Sequence, residues 1–297
     1  MENRATRAWL ILSMMGMVAC TNEPAVDSVT AYGGRLFDKW YQETGSDFVP
    51  DNPDTVEADG QGGPNGDGTL NDRDGNPVLN SGHNYRFKSL FGWDLLANSG
   101  IYGEAYQAKE YVLSTGPGND AEPPEVWIDR IENGWNDLPA FGPVLTRSQI
   151  SALVDFMLAM RDGIIPGPGD LWDLSADSPK GFVMKSGGDA ERGHIYYEQN
   201  CAACHGTDAA DILFDDGTQT LGQHARYYGY AVAIITMNGE PGSEMGPQLV
   251  PGRGKAQYVQ NLLDLIAALC DRGRYGTGRA TDPDVPDADI RCGEYLR

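Results

Sequence analysis

Five consecutive residues carry the most specific chemistry in the chain: Cys201-Ala202-Ala203-Cys204-His205. Two thiols three residues apart on one helical turn lie on the same face. Each can add to one vinyl group of a single flat macrocycle. The next side chain is an imidazole, whose neutral form offers a lone pair to a metal held in that ring. This is the attachment pattern of a c-type haem. Two other chemistries use a Cys-x-x-Cys. A redox dithiol belongs in a βαβ setting, and the chain shows no such alternation. A zinc site needs a second ligand pair at close spacing, and the sequence offers none.

The flanks narrow the reading. Gly193-His194-Ile195-Tyr196-Tyr197-Glu198-Gln199-Asn200 before the motif and Gly206 after it resemble a class I cytochrome c. The resemblance implies an N-terminal helix packed on a C-terminal helix with haem c between them. Gly193 would sit at the close helix contact, and Gly206 would let the chain leave the haem plane. It also implies a second axial ligand, usually a Met, on a loop that follows an Asn-Gly turn. Here Asn238-Gly239 is followed by Glu240-Pro241-Gly242-Ser243-Glu244-Met245. Met245 is therefore the implied partner of His205 on the iron. His224 is a rival that would give a bis-imidazole site. Met237, on an expected helix over 225–237, reads instead as core filler, and His194 as a helix-surface residue. Residues 257–269 place Val259, Leu262, Leu263, Leu265, Ile266 and Leu269 at helical spacing and predict the closing helix.

The first half carries an echo of the same plan. Residues 32–45 resemble a second opening helix. Residues 130–162 contain Asn133-Gly134, Leu138-Pro139-Ala140-Phe141 and an amphipathic stretch over 148–161, in the order ligand loop then closing helix. Residues 86–94, RFKSLFGWD, resemble the haem-attachment segment of diheme cytochromes related to thiosulfate dehydrogenases. Phe87 and Leu90 stand at the two Cys places, Phe91 at the His place and Leu138 at the Met place. The resemblance implies a cytochrome-like domain that has lost its haem; an unrelated helical domain is the alternative. An emptied site costs roughly 24 cal/mol per Å³, so apolar side chains at all four places make physical sense. The expected fold is all-α: two tandem cytochrome c-like helical domains, the first without haem, with long Gly/Asp/Pro-rich loops. The domains are 31–163 and 189–297. Residues 164–188, with Pro166-Gly167-Pro168-Gly169, read as a linker, with Trp172 docking it onto a domain.

Arg4 and Arg7 precede a short apolar run that ends Met17-Val18-Ala19-Cys20. This predicts a secretory signal over 1–19. The ending resembles the bacterial lipobox, which implies lipidation at Cys20 and a tether over 20–30. Export puts the chain in an oxidising compartment, where Cys270 and Cys292 are expected to pair across a Gly-, Pro- and Asp-rich tail. Residues 49–80 are rich in Gly, Asp and Asn. Their oxygens could hold calcium, but the spacing departs from an EF-hand and favours a solvated, turn-rich loop. With 43 acidic and 22 Lys+Arg residues, the formal charge is −21. That argues against nucleic acid and for redox partners with basic docking surfaces. The expected function is one-electron transfer in a bacterial respiratory chain, on the periplasmic side of a membrane. The alternative is a haem subunit or catalyst acting on a small inorganic substrate such as thiosulfate.

Overall fold

The computed structural model describes residues 28–79, 83, 85–101, 112–248 and 254–297. The signal-like segment and Cys20 lie outside the described residues. The chain is helical, with only short strands. Its α-helices among the described residues are α1 (Ser28–Glu43), α2 (Phe87–Phe91), α3 (Pro124–Asn133), α4 (Arg147–Arg161), α5 (Ala190–Asn200), α6 (Ala202–His205), α7 (Leu221–Asn238) and α8 (Lys255–Cys270). None is long and apolar enough to cross a membrane.

Four structural stations recur in the two halves. In the first, α1 crosses α4 at Gly33, where a Cβ would stand 2.0 Å from the Ala152 carbonyl oxygen; α5 crosses α8 at Gly193, where it would stand 1.8 Å from that of Asp264. Each crossing is backbone against backbone and admits only glycine. In the second, α2 and α6 each end on a left-handed glycine, Gly92 (φ 73°) and Gly206 (φ 80°). Their N–H groups donate to Lys88 and Ala202. In the third, α3 and α7 both stop at Asn-Gly, with Gly134 at φ 82° and Gly239 at φ 88°. In the fourth, the next residue ties back into the following loop: Trp135 N donates to Leu138 O at 3.0 Å and Glu240 N to Met245 O at 2.9 Å. Leu138 and Met245 thus occupy matching positions.

What fills the two halves differs. In the first, Phe87, Leu90, Phe91, Leu138 and Phe141 are all buried. The Phe87 and Phe141 rings lie 4.3 Å apart, and Phe91 meets Trp127 edge-on at 5.8 Å. In the second, Cys201, His205 and Met245 line a cavity.

Two expectations need correction. Residues 164–188 are not a free linker. They contain an antiparallel hairpin, Trp172–Leu174 against Phe182–Met184, whose Trp172 and Phe182 are buried against Tyr230 of α7 at 5.8 and 4.6 Å. Trp172 does dock this segment, on the second half. The third helix of that half starts at Leu221 rather than Ala225, because Thr220 and Gln223 form a reciprocal capping box.

In loop 49–80 the acidic side chains build turns. Asp51 accepts from Asp59 N and Gly60 N, and Asp72 from Asp74 N and Asn76 N. No group of three or more His, Cys, Asp or Glu side chains able to hold a metal ion occurs among the described residues. The tail after α8 is fastened twice. Cys270 and Cys292 form a disulfide with Cα atoms 6.2 Å apart. Fully buried Arg226 donates to the Leu269 and Tyr275 carbonyls at 3.1 and 2.8 Å and pairs with Asp284.

Gly33→Val and Gly193→Val should each lower stability by about 3 kcal/mol or more, since overpacking against a backbone carbonyl cannot relax by rotamer change; urea unfolding of the full chain measures this. Replacing Cys270 and Cys292 together by Ser should cost about 3 kcal/mol by the same assay.

Candidate cofactor site

A cavity of about 310 Å³ lies within the second half, lined by Cys201 and His205 of the α5–α6 region, Val232 and Ile235 of α7, Leu265 and Leu269 of α8, and Met245. Its size is at the lower end for small-molecule sites, and its walls are mainly apolar. The sequence-predicted Cys201, His205 and Met245 therefore share one space, although Met245 is forty residues away from His205 along the chain. Cys204, one turn on from Cys201, is exposed and outside the lining.

Each side chain is placed by a local device. Cys201 N donates to Tyr197 O at 2.8 Å, and His205 N donates to Cys201 O at 2.9 Å, so the motif continues directly from α5. Fully buried Tyr197 then holds the exit of α6, its hydroxyl donating to Gly206 O at 2.7 Å. Met245 sits in a loop tied to its neighbours: Gln248 N donates to Thr236 O at 3.0 Å, and the Tyr196 hydroxyl to Gln248 O at 3.2 Å.

The protonation states follow from burial. Burial pushes the Cys201 thiol up to about 11, with Cys204 adding in the same direction. A thiol this reluctant to ionise is a poor partner for disulfide exchange; Cys201 and Cys204 are both unpaired. Burial also lowers the pKa of His205, leaving the neutral imidazole that ligates metals. Its Nδ1 is buried with no hydrogen-bond partner among the described residues. A neutral imidazole and a thioether on one apolar cavity suit a metal that arrives inside an apolar frame.

His224 also lines the cavity, but its Nδ1 is 3.2 Å from Gln219 Oε1. The Phe214 ring bridges the two imidazoles, near-parallel to both, with centroids 6.0 Å from His205 and 5.1 Å from His224. Met237 is fully buried in the core and outside the lining. His194 is part-buried, its Nδ1 2.8 Å from the Tyr275 hydroxyl.

The sequence reading missed a contribution from the first half. Asp38 of α1 and Lys88 of α2 both line this cavity. Burial raises the pKa of nearby Glu240 to about 7, and Asp38 adds to it. The halves meet where Arg35 Nη1 donates to Asn238 O at 2.9 Å and Gly34 faces the Asn238 side chain.

Burial, followed by the charge on Lys88, lowers His224 to about 4. Its folded value thus lies below the unfolded value of about 6.5. The unfolded chain binds the extra proton first, so this residue's contribution is complete above pH 6.5 and is lost as pH falls toward 4, about 3 kcal/mol in all. Since the raised Glu240 gives an opposing slope over the same range, the measure is the difference between wild type and His224→Gln in urea unfolding, which should shrink by about that amount as pH falls from 6.5 toward 4. Comparison of the chain with models of known families, with curated proteins and with solved structures finds no match.

Proposed function

We propose that the chain is an electron-transfer protein of the c-type cytochrome kind, holding one covalent haem in its second half. The observation that carries this reading is the gathering of Cys201, His205 and Met245 around one apolar cavity, at stations where the first half has Phe87, Phe91 and Leu138 packed solid. A bound haem c supplies a one-electron Fe(III)/Fe(II) couple. Cys201 and Cys204 would hold it by thioether bonds, and His205 and Met245 would supply donors to its iron.

The residues of the chain do the rest. His205 stays neutral through burial and keeps its lone pair for the metal. Met245 offers a thioether, which raises the reduction potential relative to a second imidazole. Hydrocarbon side chains of α7 and α8 exclude water and favour the state of lower charge. Cys204 is exposed, so a redox partner would approach the site from solvent there and exchange one electron at close range. The first half is read as a cytochrome-like domain whose cofactor site has been filled by side chains. Two donors lining one cavity favour a carrier over a catalyst, which needs a vacant or labile position.

The acidic surface would draw partners with basic docking faces, an attraction that salt weakens. The Arg-flanked apolar leader and the lipobox-like Cys20 support export and anchoring on the periplasmic side of a bacterial membrane.

Pyridine haemochrome analysis of exported protein should give one covalent haem per chain; colourless protein overturns the reading, and two haems overturn the filled first half. Cys201→Ala with Cys204→Ala should abolish covalent attachment. Met245→Ala should move the ferric spectrum away from six-coordinate low spin and remove the sulfur-to-iron charge-transfer band; an unchanged spectrum assigns the ligand to His224.

A further inference from the structure

The cavity of the second half is completed by a charged pair from the first. Lys88 lies in the five-residue helix α2, whose Phe87, Leu90 and Phe91 are buried in their own half. Lys88 instead lines the other half's cavity and pairs there with Asp38 of α1. Asp38 is only 4% exposed. Its second carboxylate oxygen, Oδ2, is buried with no hydrogen-bond partner among the described residues. A buried carboxylate half-satisfied in this way costs free energy, and an apolar pair would have filled the wall at less expense.

Both charges act where they are poorly screened. Much of the surrounding lining is hydrocarbon, with Glu240 the third charged side chain on it, and charges in such surroundings interact far more strongly than in water. Their influence already reaches second-half residues: Lys88 lowers the proton affinity of His224, and Asp38 raises that of Glu240. The orientation is fixed by the docking of α1 on α7, through Gly34 and through Arg35, which also pairs with Glu43 at 2.8 Å.

We infer that the first half is a tuning module, whose Asp38–Lys88 pair sets the reduction potential of the redox centre in the second half. The inference rests on the haem reading above. The oxidised centre carries one more positive charge than the reduced one, so a neighbouring carboxylate favours oxidation and a neighbouring ammonium favours reduction. In the intact pair the two effects oppose each other, and removing either partner leaves the other's charge uncompensated.

The test is a spectroscopically monitored redox titration of the purified full chain at one pH, after haem content has been measured. Lys88→Met should lower the midpoint potential, and Asp38→Asn should raise it. The double variant should return close to the wild-type value, and Lys88→Arg should leave it there. A role confined to packing does not predict opposite signs. Shifts in the same direction, or no shift, in variants that retain one haem and a low-spin spectrum overturn the inference. Should one single variant fail to fold, the sign of the other against the double variant decides. Wild-type protein without covalent haem would instead overturn the underlying reading, and the two failures are distinguishable before any titration begins.

Discussion

Two helix crossings without side chains between them hold this fold in register. At Gly33 and at Gly193 the backbones come so close that a single methyl group would overlap a carbonyl oxygen. Each contact fixes the axial position of one helix against another, and therefore the position of everything that follows it. After Gly193, α5 runs straight into the Cys-x-x-Cys-His turn, which α8 faces from across the crossing. The cavity wall is a consequence of that register. Were the helices to separate by the width of a side chain, Leu265 and Leu269 would leave the space that Cys201 and His205 enter. Gly34, beside Gly33, performs the same service in another direction, because it lets α1 approach Asn238 at the end of α7. Two adjacent glycines thus close one half and join it to the other.

The recurrence of the four stations explains how much of the molecule could be read from sequence. Gly193, the cysteine pair, Asn238-Gly239 and the apolar spacing of 257–269 are local signals, each imposed by a backbone conformation or a helix face. Their echoes in the first half were legible for the same reason, although the residues at the attachment positions differ. The hairpin at Trp172–Leu174 and Phe182–Met184 was not legible as such. Its Pro-Gly punctuation signals turns in a hairpin as readily as in a linker, and only its docking on Tyr230 separates the two. The early start of α7 did leave a signal, the Thr220-x-x-Gln223 box, which the apolar pattern alone passed over. The Asp38–Lys88 pair left none. Charged residues far apart in sequence read as surface, and nothing local reveals that docking buries them.

The interiors of the two halves differ in packing energetics. A dry cavity of about 310 Å³ would cost about 7 kcal/mol at 24 cal/mol per Å³, an upper bound because this one has an opening. That is comparable to the whole stability of a typical domain. A volume of that size is room that the second half's own side chains leave unfilled. The first half packs the matching stations with side chains: Phe87 lies on Phe141, Phe91 meets Trp127, and Leu138 is buried.

On the proposed reading, that difference suits the first half to a supporting role. A wall that orients charges beside a redox centre would have to be stiff and independent of the oxidation state of a second group. An aromatic core supplies the stiffness, since ring packing in a dense interior leaves few alternative rotamers. The short helix α2 presents Phe87, Leu90 and Phe91 to the core of its own half and Lys88 to the cavity of the other. Packing one core and lining a cavity beside it are two outcomes of the same five-residue turn.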